Sequence, residues 1–119
     1  MPYAEVYVIP IPKKNLAAYT KMAQLGARVW KKHGALQYRE TVGDDLKMAW
    51  GGIPFTKIAR CRPKETVVVA WVLYKSKAHR KQVNAKVHQD PLMKNFDPKK
   101  LPFDPKRFSY GGFKIIASA

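Results

Sequence analysis

Acidic residues are scarce in this chain. Eight Asp and Glu stand against 23 Lys and Arg in 119 residues, a formal net charge of +15. Such a balance favours polyanionic partners and carries no information about fold. The basic residues are dispersed, with no block of five or more like charges, so they describe a charged surface rather than a basic tail. Cysteine is nearly absent: Cys61 stands alone, which excludes an internal disulfide and fits a reducing cytoplasm. Arg60 and Arg62 flank it and would lower its pKa, although a thiol in a loop needs no such role. No apolar run is long enough to span a membrane. The opening "MPYAEVYVIPIP" has no cationic stretch before its apolar residues, so it is not read as a secretory signal. Phosphate loops, nucleophile elbows and dinucleotide fingerprints are missing. His33, His79 and His88 show no metal-ligand spacing, and the sequence implies no metal and no cofactor.

What the chain does have is enough apolar content, 46%, for one packed domain covering residues 1–119. "YAEVYVI" (3–9) alternates and reads as a strand, which Pro10 and Pro12 are expected to end. Residues 16–34 carry Leu16, Tyr19, Met22, Ala23, Gly26, Val29, Trp30 and His33 at three- and four-residue steps. That spacing predicts a helix, with Asn15 as its cap and Gly34 as its stop. Residues 35–43 alternate again, with Leu36, Tyr38, Glu40 and Val42 on one side. Residues 44–64 read as a loop or loose hairpin. "TVVVAWVLY" (66–74) is apolar on both faces, as a doubly covered strand is. Ser76 caps a helix over 77–89, with His79, Val83 and Val87 on one face. Asp90-Pro91 opens a further helical turn, 96–107 is a proline-punctuated loop, and 108–117 is the last strand.

The order βαββαβ predicts an α+β fold of ferredoxin-like type, a four-stranded antiparallel sheet with both helices on one face. Whichever side of 66–74 faces the helices, bulky apolar residues remain on the other. An exposed apolar patch of that kind marks an interface. Two such sheets facing each other, in a homodimer, would cover it.

Three stretches resemble the YbaA-like family, small bacterial proteins with a domain of unknown function: "GDDLK" (43–47), "ETVVVAWVLYKSKAHRKQVNAKV" (65–87) and "FDPKKLPFDPKRFSYGGFK" (96–114). The resemblance spans nearly the whole chain. It implies the dimeric α+β barrel superfamily, in which two ferredoxin-like sheets pack face to face and which includes the antibiotic-biosynthesis monooxygenases. Those enzymes can work without a cofactor. The chain departs from the family pattern in its basicity, in Glu5 where Asp is common, and in "MAWGGIPFTKIARC" (48–61).

His79 is the leading candidate for chemistry, on the inward face of the second helix, where an imidazole can act as base or donor toward a ligand. Its competing role is that of a core histidine satisfied by a backbone or side-chain partner. Arg80 and Asn84 suit an anionic ligand, or tie their helix to the loop holding Asp97 and Asp104. Asp44 and Asp45 are expected to pair with Arg107. Glu5 and Glu40 share parity with neighbouring tyrosines. On a barrel-facing side they are the type of group used for proton transfer, and otherwise they pair with Lys or Arg across strands or between subunits. For Glu40 the pairing is expected. The pocket candidates are therefore Glu5, Tyr7, Tyr38, Trp71, His79, Arg80 and Asn84.

Two functions from different classes follow. The first is a homodimeric barrel holding a small molecule between sheet and helices, extending to a cofactor-independent, monooxygenase-like enzyme. The second is a basic nucleic-acid-binding protein using surface Lys and Arg. βαββαβ is also the order of the RNA-recognition motif, and "RFSYGGFKII" (107–116) looks like its base-stacking strand. In that motif, however, the aromatic strand is the third, and here it is the fourth. Gly111 and Gly112 in a strand are expected to mark a bulge or a close backbone approach, to a helix or the partner subunit.

Overall fold

The structure, a computed structural model, describes residues 1–119. In chain order the elements are β1 (Tyr3–Pro12), a 3-10 turn (Lys13–Asn15), α1 (Leu16–Lys32), β2 (Gln37–Val42), α2 (Phe55–Ile58), β3 (Glu65–Tyr74), α3 (Lys77–Gln89), α4 (Pro91–Lys94), a second 3-10 turn (Pro98–Lys100) and β4 (Ser109–Lys114). The four strands form one antiparallel sheet in the order β2-β3-β1-β4. This is the ferredoxin-like arrangement that the βαββαβ pattern implies.

Two features of β1 and β4 differ from expectation. Pro10 and Pro12 do not end β1; they pair with Val67 and Glu65 of β3. The Lys13 N–H donates to Lys64 C=O at 3.0 Å, so odd-numbered residues of β1 bond to β3 and even-numbered ones face β4. β4 stops opposite Val8, so the N–H groups that Pro10 and Pro12 lack would have met no partner. The β1–β4 register runs unbroken from Tyr3↔Lys114 to Val8↔Ser109, so there is no bulge at the glycines.

Alternation then sorts the side chains. Tyr3, Glu5, Tyr7, Ile9 and Ile11 of β1, and Val68, Ala70, Val72 and Tyr74 of β3, lie beneath the helices. There they join α1 through Tyr19, Ala23 and Val29, and α3 through Val83 and Val87. Val29, Val72, Tyr74, Val83 and Val87 are each at most 1% exposed. At roughly 1.5–3 kcal/mol per buried large apolar side chain, this cluster is the main reason α3 docks.

α1 ends as its sequence suggests. Gly34 adopts φ +109, its N–H donates to Lys31 C=O, and the Ala35 N–H donates to Trp30 C=O, the paired bonds of a Schellman cap. The start of α1 is different. Asn15 makes no side-chain cap and instead donates to Pro102 C=O at 2.9 Å, tying the helix entrance to the 96–107 loop. Ser76 and Asp90 do cap α3 and α4, accepting from His79 N–H and Leu92 N–H. The 44–64 region, expected to be irregular, contains the one-turn helix α2, which lies against β3. No helix is long and apolar enough to cross a membrane.

The face away from α1 and α3 carries Val6 and Val8 of β1, Val69, Trp71 and Leu73 of β3, and Phe113 of β4. These side chains are half-buried or exposed. Trp50, Ile53 and Phe55 of the 44–64 segment are also exposed to solvent.

Candidate functional site

Pairing places side chains in rows across the sheet. One row beneath the helices reads Tyr110, Tyr7, Ala70, Glu40 across β4, β1, β3 and β2. The small Ala70 leaves a gap between Tyr7 and Glu40. α1 spans that gap above Tyr19, Ala23, Gly26 and Trp30, and the 93–108 segment closes it with Met93, Phe96, Leu101, Phe103 and Phe108. The result is a cavity of about 240 Å³ in which 14 of 16 lining residues are hydrophobic. Gly26 leaves room for the Tyr38 hydroxyl: a β-carbon there would sit 2.7 Å from it, so the phenol would have to shift.

Glu40 is the one charged group in this lining. Tyr19 Oη donates to its Oε1 at 2.7 Å and Tyr38 Oη to its Oε2 at 2.6 Å. No Lys or Arg pairs with it across the strands, and Glu40 takes part in none of the ion pairs within the chain. Burial, then the negative charge of Glu40, pushes both phenols well above the usual tyrosine range, so they stay protonated and donating.

The next row reads Gly112, Glu5, Val72, Tyr38. Glu5 is 4% exposed and fully engaged. It forms an ion pair with Arg80, accepts from Tyr7 Oη at 2.9 Å and accepts from Asn84 Nδ2 at 3.3 Å. Asn84 Oδ1 in turn accepts from Tyr74 Oη at 2.9 Å and Trp30 Nε1 at 3.3 Å. Tyr74 is pushed up to about 12, chiefly by burial. Arg80 reaches Glu5 across β4 because position 112 is glycine: a β-carbon there would lie 2.7 Å from Arg80 Nη1 and against the Tyr3 ring, over which the guanidinium sits. No such constraint acts at Gly111, where a β-carbon would meet only Phe113, at 3.8 Å.

The sequence-derived candidates thus separate. Tyr7 and Tyr38 line the cavity; Glu5, Arg80 and Asn84 form the polar cluster beside it. Trp71 does not join them. It lies on the opposite face of the sheet, donating to Gln37 Oε1 at 3.0 Å, because Ala70 and Val72 take the inward positions. His79 lies outside the cavity lining; its Nδ1 accepts from the Lys75 N–H at 3.0 Å and its ring stands edge-on to Tyr74.

Three expected pairings are replaced. Arg80 and Asn84 bind Glu5 rather than Asp97 and Asp104, which accept from the local Lys99 and Lys106 N–H groups. Arg107 donates to Glu65 from both terminal guanidinium nitrogens, Nη1 and Nη2, at 2.7 and 2.8 Å, rather than to Asp44 or Asp45. Burial pushes the Cys61 thiol up, opposite to the effect expected from its arginine neighbours. Tyr110 and Phe113 point to opposite faces of β4, so they offer no shared platform for bases. No group of three His, Cys, Asp or Glu side chains is placed to hold a metal ion.

Comparison with known proteins bears on the sheet and the sequence together. A family described as "Protein of unknown function (DUF1428)" matches residues 2–105. The chain belongs to the DUF1428 family. Its curated relatives include the uncharacterized protein YbaA of Escherichia coli K12 and that of Shigella flexneri, each 36% identical over 117 residues, covering 98% of this chain and 97% of the relative. Among solved structures, this DUF1428 chain is similar to an uncharacterized NIPSNAP domain protein from Burkholderia xenovorans. The TM-score is 0.62 at 17% identity, over 98% of this chain and 97% of the other. It is also similar to a dimeric ferredoxin-like protein from an uncultured marine organism, with TM-score 0.60 at 11% identity over 100% of both chains. At such identities the likeness is one of fold, and it agrees with the ferredoxin-like topology of this DUF1428 chain.

Glu40, Tyr19 and the aromatic segment 96–108 are the site residues that pattern alone does not bring together. Tyr19 is on the apolar face of its helix and Glu40 shares a face with Tyr38, so both signals are present. What joins them is the register through β3.

Proposed function

We propose that this protein is a cytoplasmic small-molecule-binding homodimer whose ligand occupies the cavity between α1 and the sheet. The observation that carries this is the cavity itself: about 240 Å³, apolar on nearly every side, with one carboxylate held in its wall. The homodimer is supported by the bare apolar face around Trp71 and Phe113 and by the dimeric state of one structural relative. In this reading each 119-residue chain supplies one sheet of the barrel.

Binding is preferred here to an oxygenase-type reaction. The lining holds no histidine, cysteine or lysine, and its tyrosine hydroxyls are all committed to carboxylates. His79 belongs in this reading to the cap of α3. A thermal-shift screen of metabolites, paired with light scattering, tests both halves. The expected result is a dimer stabilised by a few compounds that compete with one another. A stable monomer removes the barrel, and compounds whose effect persists when Ala70→Leu fills the cavity floor remove the ligand site.

A further inference from the structure

We infer that the Glu40 cavity selects an organic cation, an amine or quaternary ammonium on a small apolar body; this rests on reading the cavity as the ligand site. The argument is an inventory of what the walls can offer. Every side-chain donor bordering the cavity is already spent on a protein acceptor. Tyr7 donates to Glu5, Tyr19 and Tyr38 donate to Glu40, and the Trp30 N–H is shared between Tyr74 Oη at 3.2 Å and Asn84 Oδ1. No Lys or Arg reaches the lining, although the chain has 23 of them. An anion or a carbonyl group therefore finds no side chain to bind it.

Two things remain available. Glu40 accepts one bond on each oxygen, and a carboxylate offers about four acceptor positions. It has no countercharge of its own, and a half-buried carboxylate gains by acquiring one. Around it stand the rings of Tyr7, Tyr19, Trp30, Tyr38, Phe103 and Phe108. A carboxylate among aromatic faces is the combination that recognises ammonium groups, through charge and through the ring quadrupoles. The volume lies below the roughly 300 Å³ at the lower end of pockets for drug-sized ligands, so the body attached to the cation is small. The polarity of the surface, at +15 net, is opposite to that of the pocket. The ligand is thus recognised by the cavity and not drawn in by the protein's overall field.

The test compares three compounds of one shape on the full chain carrying Trp50→Phe, which removes a fully exposed indole and leaves Trp30 as the reporter at the cavity, with Trp71 on the opposite sheet face as a background that the ligand does not touch. They are phenethyltrimethylammonium, its neutral carbon isostere (3,3-dimethylbutyl)benzene, and the anion 3-phenylpropionate. Binding is read by fluorescence and thermal shift. The cation is expected to bind at least about tenfold more tightly than the isostere, with the anion not binding. Glu40→Gln should reduce the preference to the part the rings supply and leave the isostere's affinity as it was. Equal affinity of cation and isostere in the Glu40 protein overturns the cation inference and leaves the ligand site standing. Failure of all three to bind overturns the ligand site and the inference with it. The cation–isostere comparison needs no variant at Glu40, so it decides the matter even if Glu40→Gln does not fold.

Discussion

Glu5 and Glu40 lie on the same face of one sheet, separated by a single strand, and they are held in opposite ways. Glu5 is sealed under α3 with an arginine, a phenol and an amide around it. Glu40 is half-buried at the wall of a cavity with two phenols and no cation. A buried carboxylate with a full set of partners ties elements together. One with open lone pairs and no countercharge is disposed to meet something else. The difference follows from the rows they occupy. Glu5 shares its row with Gly112, which lets Arg80 in, whereas Glu40 shares its row with Ala70, which leaves space.

The sharpest way to break this comparison is to remove the cation from Glu5. Arg80→Met is expected to lower stability by about 3–5 kcal/mol in urea denaturation, because it strands a buried charge. A loss under about 1 kcal/mol would mean that Tyr7 and Asn84 satisfy Glu5 alone and that the two sites are alike. Next in size is Gly112→Ala, which forces Tyr3 and Arg80 apart at a cost of about 1–3 kcal/mol. Gly111→Ala, measured alongside, should change the unfolding free energy by no more than about 0.5 kcal/mol. Equal effects at the two glycines would contradict the assignment of Gly112 to the Arg80 passage.

Glu40→Gln is expected to cost about 1 kcal/mol, the difference between charged and neutral hydrogen bonds, since an amide still engages the two phenols. A cost as large as that of Arg80→Met would make Glu40 a structural group like Glu5.

The smallest effect concerns pH. Arg107 beside Glu65 lowers its carboxyl from 4.5 to about 2, and His33, then the Leu92 N–H, lower Asp90 from 3.8 to about 2. Both folded values are depressed. Their stabilisation is therefore complete above the ordinary values and is lost as pH falls through about 2. The urea midpoint should decline between roughly pH 5 and pH 2, and Arg107→Gln should flatten part of that decline. An unchanged slope in that variant would sink the assignment to Glu65.

Much of this architecture is legible along the chain. Alternation marks β1 and β2, a run apolar on both faces marks β3, three- and four-residue spacing marks α1, and Ser76 and Gly34 set helix ends through local bonds that need no distant partner. The errors are informative because they are not local. Pro10 and Pro12 read as a strand end, since nothing nearby says that the pairing with β4 stops opposite Val8 and leaves their side of β1 unpaired. Trp71 read as a pocket wall, since a strand apolar on both faces does not declare which face the helices cover. Glu40 read as half of an ion pair, the common fate of a carboxylate in a chain this basic.

The sequence by itself determined the elements, their order and the existence of a surplus apolar face, because periodicity and capping are properties of residues a few positions apart. Only the tertiary structure decided the site. Register across β2, β3 and β1 set Glu40, Ala70 and Tyr7 in one row, and α1 brought Tyr19 over them. The 96–108 aromatics then closed a cavity from residues up to 101 positions apart, Tyr7 and Phe108. Contacts at such separations depend on which strand pairs with which and on the face each presents. Those choices are made by the whole sheet and its helices together.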